Sequence, residues 1–368
     1  MPKESIMIQV GQCGNQLGRP LWEQLLVEHS FFSKKQQWPL QSNHQSDSAS
    51  RYSRYDDPMS TMFRNVDSHG RGLPVGVPLM HIRARGILID TEGGVVSETL
   101  RSPIGGLFDP HENILTDNSG AGNNFAHGFF EYGQIHGEHF LELVRRQTEM
   151  CDSLQSFHLL HSVGGGTGSG LGTRTLELLA DDFKGVGRIA VSLLPSSSNC
   201  KNVDDVVVSP YNAVMALRYL SEHADAVIPM DNAQLGYLSQ QDPSTQKKTD
   251  RYNRRRHRKK ISEKINGNDK RTITVSDSFY EMNAVATRAL VDLTSITRFN
   301  SDATTWDTMS NIILPGKKFL STSLSPKASC INSIQNNEKL RLSEGTSKVS
   351  PAATLKYKVL DLRFKNLM

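Results

Sequence analysis

Short apolar runs alternate with helical patterns along the first 300 residues. Strands are predicted for the apolar, partly β-branched runs 5–10, 81–90, 156–163, 187–195 and 225–232. Amphipathic helices are predicted for 138–151, 173–183 and 280–299, and for a first helix whose apolar face carries Leu17, Leu21, Trp22, Leu25 and Leu26. This alternation predicts an α/β fold with a doubly wound parallel sheet. Ligands of such sheets bind at the carboxyl ends of the strands.

Three segments interrupt the pattern. Residues 33–80 are polar and poor in aliphatic side chains, which predicts an irregular or partly disordered segment. Residues 239–278 have almost no aliphatic periodicity and are predicted to form a surface loop. The chain from about residue 327 onward favours no regular element.

Composition adds a broad class. A chain of 368 residues with 37% hydrophobic and 22% charged residues is typical of a soluble globular protein with two or three domains. It has neither an apolar run near 18 residues nor an N-terminal secretory signal, so no membrane association is expected. Its four cysteines are far apart, which indicates thiols in a reducing compartment, the cytoplasm by default.

Positive charge is concentrated in residues 247–260. This stretch holds nine Lys/Arg and one Asp, or +8, so a net charge of +4 leaves −4 for the rest of the chain. We interpret it as a solvated loop. The alternatives are a nuclear-localisation or nucleic-acid patch, or docking onto the acidic surface of a partner. Nucleic acid is disfavoured because no aromatic-basic platform accompanies the charges.

A glycine cluster follows the predicted strand 156–163. Six of the nine residues from Gly164 to Gly172 are glycine. Close strand–helix packing is expected to need one or two glycines. The remainder, with the hydroxyls of Thr167 and Ser169, predict a phosphate site of backbone amides at a helix N-terminus. No lysine follows as in a P-loop, and no glycine here has partners at +2 and +5 as in a dinucleotide fold.

Several segments in order resemble the tubulin family. They are GGGTGSG (164–170), GQCGNQLG (11–18), LIDTEGG (88–94), SGAGNNFAHG (119–128), DDVVVSPYNAVMAL (204–217) and MDNAQL (230–235), with the helix 279–299. The resemblance covers about residues 4–326. The stretch MFRNVD (62–67), the sequence VSPYN and the long insert resemble the epsilon subfamily, an isotype of centrioles and basal bodies.

The resemblance implies a guanine nucleotide, GTP or GDP, with Mg²⁺. It assigns phosphate contacts to Gly165, Gly166, Thr167 and Gly168, and contacts near the diphosphate to Gln12, Cys13 and Gln16 at the start of the first helix. It assigns sensing of the terminal phosphate to Ala121, Gly122 and Asn123. It also assigns Mg²⁺, held through water, to Asp90 and Glu92, in keeping with the preference of hard cations for oxygen.

The same resemblance assigns the nucleoside contacts. Asp205 matches a carboxylate that contacts the ribose, although Ser209 stands where many tubulins carry a second acid. Asn232 and Asn283 match two asparagines that read the guanine edge, for which an amide offers both donor and acceptor. Phe279 matches an aromatic residue stacked on the base, and is otherwise a core aromatic.

Hydrolysis in this family is completed by the next subunit. The matching segment here is 306–316, and Asp307 falls at the acid that positions the attacking water in trans. Aspartate is one methylene shorter than the usual glutamate. A capping or helix-surface aspartate is the alternative interpretation.

The resemblance divides the chain into regions. They are a nucleotide-binding GTPase domain (1–238), a basic inserted loop (239–278), a core helix (279–299), an incomplete start of a second α+β domain (300–326) and a disordered non-family tail (327–368). The resemblance implies that about a hundred residues or more of a complete tubulin are missing, through truncation or divergence. We therefore expect an open sheet edge and poor stability of the chain alone, which soluble, cooperative unfolding would contradict.

The predicted function is that of a GTP-binding, tubulin-like cytoskeletal protein of the cytoplasm. The resemblance implies GTP bound at subunit interfaces, alpha-, beta- or delta-type tubulin partners, and microtubules of centrioles, centrosomes or basal bodies. GTPase activity stays open. The alternatives are a nucleotide-binding adaptor that neither polymerises nor turns over GTP, a non-functional truncated product, and a nucleic-acid binder that uses residues 247–260.

Overall fold

A six-stranded parallel sheet forms the centre of the protein. The computed structural model describes residues 3–36, 55–195, 206–241, 276–299, 318–323 and 356–359. The strands are β1 (Glu4–Val10), β2 (Phe63–Val66), β3 (His81–Ala84), β4 (Gly86–Asp90), β5 (Ile114–Thr116), β6 (Leu154–Ser162), β7 (Gly187–Leu194), β8 (Ala226–Asp231), β9 (Leu320–Ser323) and β10 (Lys356–Val359). The order of the main sheet is β5-β4-β1-β6-β7-β8, with every pairing parallel.

Helices follow most strands of this sheet. They are α1 (Gly11–Gln36), α2 (Asp57–Ser60), α3 (Gly93–Arg101), α4 (Pro110–Asn113), α5 (Gly133–Glu149), α6 (Gly172–Asp182), α7 (Ser209–His223), α8 (Asn232–Gln241) and α9 (Ser276–Phe299). Two π-helical turns, His127–Tyr132 and Thr167–Leu171, lead directly into α5 and α6. None of the helices within the described ranges has the length and apolar character needed to cross a membrane.

The two faces of the sheet are covered by different helices. On one face, Met7 of β1 belongs to a buried cluster with Trp22 of α1 and Ala286 of α9. On the other, Ile6 belongs to a second cluster with Phe140 of α5 and others from α6 and α7. Strands buried on both faces are rich in apolar residues, which is why they appear in the sequence as short apolar runs, although a few polar side chains such as Gln9 and His158 are buried among them. The predicted doubly wound α/β fold is confirmed.

The strand order reverses between β1 and β6. From β1 the chain continues to β4 and β5 on one side, then crosses to β6, β7 and β8 on the other. In a sheet of this kind, ligands usually bind in the crevice at the carboxyl ends of the strands where the order reverses. Here that position lies between the turns that follow β1 and β6.

The predicted strand 81–90 is two strands in different sheets. β3 pairs antiparallel with β2, whereas β4 pairs parallel with β1. Arg85 separates them, and its buried guanidinium donates to Ser60 O and to the Glu4 carboxylate. The break depends on these distant partners, so the apolar pattern could not show it.

The prediction that 33–80 is irregular was wrong in part. α1 continues to Gln36, and α2 and β2 lie within the segment. Tyr55, Met62 and Phe63 are buried, and the Phe63 ring contacts Trp22 edge-on at a centroid distance of 5.5 Å. A few large side chains are enough to anchor this otherwise polar stretch.

Several predictions fall outside the described residues. Among them are the basic run 247–260, Asp205, Asp307 and most of the segments 300–326 and 327–368. Within the predicted tail, β10 pairs antiparallel with β9. The regions proposed for the chain therefore stay predictions, and the described core helix α9 begins at Ser276.

Candidate functional site

The turn after β1 contacts the glycine cluster after β6. Gly11 starts α1 with φ +73°, a conformation that favours glycine. A Cβ atom at Gly11 would lie 3.1 Å from Gly168 N. The two turns therefore approach each other backbone to backbone at the strand-order reversal.

Close packing uses more of the cluster's glycines than the one or two expected from the sequence. A Cβ atom would lie 2.6 Å from Asn124 N at Gly166, 2.7 Å from Ser162 O at Gly168 and 2.3 Å from Phe125 O at Gly170. These neighbours are mostly backbone and cannot rotate away. At Gly165 the nearest atom would be Asn123 Oδ1 at 3.7 Å, an ordinary contact. Close packing therefore requires glycine at positions 166, 168 and 170. It does not explain why position 165 is glycine.

Ser169 does not offer its hydroxyl to a ligand. The side chain is buried, and its hydroxyl donates to Gly165 O within the π-helical turn. The hydroxyl contribution predicted for Ser169 is corrected accordingly.

His161 of β6 links the same turn to β7. Its Nδ1 lies 2.9 Å from Gly168 O, and its Nε2 lies 2.8 Å from the Ser192 hydroxyl. A carbonyl only accepts, so Nδ1 carries the proton and Nε2 accepts from Ser192. Burial lowers the pKa of His161 to about 4. The ring is therefore a neutral structural link beneath the glycine cluster.

Thr167 makes a side-chain contact with the loop after β4. Its Oγ1 lies 2.7 Å from Oγ1 of Thr91. Thr91 is buried, whereas Thr167 is half-buried. Sequence reasoning did not select Thr91, although it stands between the two predicted Mg²⁺ residues.

Asp90 has the features of a cation ligand. It is 3% exposed; Oδ1 accepts from Glu92 N at 3.3 Å, and Oδ2 has no hydrogen-bond partner among the described residues. Burial, with a smaller contribution from the charge of Glu92, raises the pKa of Asp90 to about 6. An ionised carboxylate that loses hydration without a partner is costly, and a nearby cation would offset that cost.

Glu92 lies beside Gly120. A Cβ atom at Gly120 would lie 2.1 Å from Glu92 Oε1, and the Glu92 side chain is exposed. In the part of the chain that the structure describes, no group of three or more His, Cys, Asp or Glu side chains is arranged to hold a metal. Two carboxylates suit a cation that keeps several waters, as Mg²⁺ does, and do not form an all-protein cage.

Asn15 joins the start of α1 to the end of β4. Its buried Nδ2 donates to Gly11 O and to Ile89 O, both at 3.0 Å. Among the predicted residues of the first two turns of α1, Gln12 is exposed, while Cys13 and Gln16 are half-buried. The first turn of α1 is thus fixed while its predicted contact residues stay accessible.

Asn212 connects the predicted terminal-phosphate loop to the glycine cluster. Its Nδ2 donates to Asn123 O and Gly164 O, both at 2.8 Å, and its Oδ1 accepts from Phe125 N at 3.0 Å. The residue is buried in the first turn of α7. Asn212 lies in one of the family motifs, but no role was predicted for it. Its hydrogen-bond partners are too far away in the chain for the sequence to indicate them.

The loop 121–124 has an unusual backbone. Gly122 and Asn123 both adopt left-handed conformations, with φ +56° and +55°. Asparagine tolerates this region better than most side chains. Ala121 is buried, while Gly122 and Asn123 are exposed beside Gly165.

The predicted base contacts lie on two packed helices. Asn232 is the first residue of α8 at the carboxyl end of β8. α9 carries the exposed Phe279 and the half-buried Asn283. A Cβ atom at Gly236 of α8 would lie 3.5 Å from Met282 Sδ of α9, so the two helices are in close contact. Asp205 and Asp307 lie outside the described residues.

Comparisons with known proteins agree with this arrangement. Residues 4–240 match the model of the Tubulin/FtsZ family, GTPase domain. The chain is 42% identical over 235 residues to the tubulin epsilon chain of Mus musculus and 41% identical over 236 residues to that of Homo sapiens. It is 36% identical over 236 residues to the tubulin beta chain of Porphyra purpurea.

Each of these matches covers part of both chains. They include 63% of this chain and 45% of each of the three relatives. The chain thus spans about half the length of the curated relatives it matches, over the region that contains the six-stranded sheet and its loops.

Proposed function

This chain belongs to the Tubulin/FtsZ family through its GTPase domain, and on that basis we propose that it binds GTP or GDP with Mg²⁺ at the crevice beside β1 and β6. The observation that carries the proposal is the buried Asp90, one carboxylate oxygen of which has no hydrogen-bond partner in the described part of the chain, beside a loop joined to the glycine cluster. A carboxylate and a turn of bare backbone amides placed together suit a metal-bound phosphate.

The phosphates would lie against the turn from Gly165 to Gly168. Gly165 presents backbone with no packing reason to lack a side chain, and Thr167 supplies a hydroxyl. Gln12, Cys13 and Gln16 would contribute from the first two turns of α1. A helix N-terminus behind the turn favours an anion.

Mg²⁺ would be held by Asp90 directly or through water, with Glu92 in the outer shell. When bound, the cation would neutralise phosphate charge. Ala121, Gly122 and Asn123 would lie near a terminal phosphate, and Asn212 donates to the Asn123 carbonyl at the end of that loop. The Asn232 and Asn283 amides and the Phe279 ring would contact the guanine base, and Asp205 the ribose.

A binding experiment on the purified full chain tests this proposal. Fluorescent GDP and GTP analogues should bind with Mg²⁺ present, and unlabelled GTP should displace them at least tenfold better than ATP. The Asp90→Ala variant should lose most of the gain in affinity that Mg²⁺ provides. Equal competition by ATP, or no binding by the folded chain, would contradict the proposal.

We further propose that the protein works with other tubulin subunits, alpha-, beta- or delta-type, at the microtubules of centrioles or basal bodies. The similarity to epsilon chains supports this. GTP would lie at a subunit interface, and Asp307 would position the water for hydrolysis in a neighbour. GTP turnover should rise on addition of alpha/beta-tubulin, and Asp307→Asn should abolish the rise. Turnover that alpha/beta-tubulin leaves unchanged would favour the adaptor alternative.

A further inference from the structure

We infer that Thr91 is a positioning residue for the phosphate cradle: it donates its hydroxyl proton to Thr167, so that the Thr167 hydroxyl is directed at a nucleotide phosphate. The inference rests on the proposed function, since it concerns how the same site holds its ligand. The family resemblance gave Thr91 no role.

The contact between the two hydroxyls is short and shielded. Their Oγ1 atoms lie 2.7 Å apart, a normal distance for a hydroxyl–hydroxyl hydrogen bond. Thr91 is 1% exposed, so water does not compete for its hydroxyl. Thr167 is half-buried and keeps a path to the crevice.

The direction of the bond follows from the chemistry of the ligand. Each hydroxyl has one proton to donate and two lone pairs to accept with. An ionised phosphate oxygen accepts, so Thr167 has to donate its proton to the phosphate. The bond between the two hydroxyls then needs the Thr91 proton, and Thr91 donates to Thr167.

The strand order explains why these two residues meet. Thr91 follows β4 and Thr167 follows β6, and β1 lies between those strands. Gly11, at the end of β1, has no side chain between them. A Cβ atom there would lie 3.5 Å from Thr167 Cβ. The bond therefore crosses the end of β1 and joins the loop of Asp90 and Glu92 to the glycine cluster.

Two substitutions at Thr91 distinguish the role of the hydroxyl from that of the side-chain volume. Thr91→Val keeps the branched shape and removes the hydroxyl, whereas Thr91→Ser keeps the hydroxyl. The Kd of the full chain for fluorescent GDP should rise about tenfold in Thr91→Val, which corresponds to the loss of one buried hydrogen bond that orients the Thr167 hydroxyl. Thr91→Ser should stay within about twofold of the unsubstituted chain.

A double-mutant cycle tests whether Thr91 acts through Thr167. Thr167→Val alone should raise the Kd for GDP about tenfold or more. Adding Thr91→Val to that variant should raise the Kd by less than about twofold further. The loss in Thr91→Val should also persist when EDTA removes Mg²⁺. Thermal unfolding of the nucleotide-free variants verifies folding, and Thr91→Ala replaces Thr91→Val if the latter does not fold.

The outcomes distinguish the inference from the function it rests on. If the unsubstituted chain binds no guanine nucleotide, both are wrong. If it binds and Thr91→Val binds equally well, the positioning role is wrong and the proposed function stands. Thr91 does not act through Thr167 if Thr91→Val lowers the affinity for GDP as much in the Thr167→Val variant as in the unsubstituted chain. The same holds if Thr91→Val leaves the affinity unchanged once Mg²⁺ is removed. Either result overturns the inference.

Discussion

At the scale of single residues, Asp90 carries a stability cost at the proposed cation site. Its carboxylate is buried with one oxygen unpartnered among the described residues, and its pKa is raised to about 6 from 3.8. At 1.4 kcal/mol per unit, the ionised form costs the nucleotide-free fold about 3 kcal/mol. Carboxyl groups with a pKa raised by burial are often found at ligand sites.

We predict that Asp90→Asn stabilises the nucleotide-free chain at neutral pH. A carboxyl whose pKa is raised on folding destabilises the fold above its folded pKa of about 6, and the cost disappears as the pH falls below the unfolded value near 4. The free energy of unfolding in urea should therefore increase by about 1–3 kcal/mol at pH 7.5 and hardly at all at pH 4.

The comparison isolates Asp90 from other titrations. Burial lowers the pKa of His158 and His161 to about 4, so the fold loses stability as the pH falls below 6.5. That loss is common to both chains and cancels in their difference. Glu98→Gln, at an exposed site on α3, should leave stability unchanged. A gain in Asp90→Asn that is equal at pH 4 and pH 7.5 would show that ionisation is not its cause.

At the scale of elements, the two π-helical turns form one packed unit. A Cβ atom at Gly128 would lie 2.4 Å from Gly166 O, and one at Gly170 would lie 2.3 Å from Phe125 O. Each turn leads from a predicted phosphate loop into a helix, α5 or α6. π-helical turns are uncommon and are frequent at functional sites. Packing between them fixes the relative position of the two loops.

We predict that Gly170→Ala destabilises the fold by about 1–3 kcal/mol, because the new methyl group would collide with the backbone at Phe125 and Phe129. Gly137→Ala in α5 is the matched control. There the nearest atom would be Leu178 Cδ1 at 3.4 Å, and alanine should stabilise the helix by up to about 1 kcal/mol. Urea unfolding of both variants gives the difference. Equal midpoints for the two would contradict the close contact of the π-helical turns.

At the scale of the whole molecule, α9 is joined to the sheet domain through a buried ion pair. Arg298 NH2 donates to Glu28 Oε2 of α1 at 2.6 Å, and both side chains are buried. The guanidinium also lies 4.8 Å from the centre of the Phe299 ring. Burial, together with the charge of Arg298, lowers the pKa of His29 to about 3, so that ring stays neutral. The helix that carries Phe279 and Asn283 is thereby fixed relative to α1.

We predict that Arg298→Met destabilises the chain by about 3–5 kcal/mol, because it leaves the Glu28 carboxylate buried and unpaired. The double variant Glu28→Gln/Arg298→Met should recover much of that loss. The exposed pair Arg218–Glu222 is the control, and Arg218→Met should cost less than about 1 kcal/mol. Additive losses in the double variant, measured by urea unfolding, would contradict a coupled pair.

The sequence by itself determined the fold class and the loops. Strands buried on both faces leave short, mainly apolar runs, and helices leave a 3.6-residue period, so the predicted β1, β6, β7 and β8 agree with the structure to within about two residues. The tubulin-family motifs predicted phosphate loops at strand ends, and the motif segments do follow β1, β4, β5 and β6 in the structure. Local patterns carry this information because neighbouring residues determine it.

Only the tertiary structure decided how those loops are held together. It split 81–90 between two sheets, assigned three of the six cluster glycines to packing, and brought Thr91 to Thr167 and Asn212 to Asn123. It also buried Asp90 and left one of its carboxylate oxygens without a hydrogen-bond partner among the residues that the structure describes. These contacts join residues far apart in the chain, and the strand order of the sheet sets which of them meet. No periodicity along the sequence encodes that order.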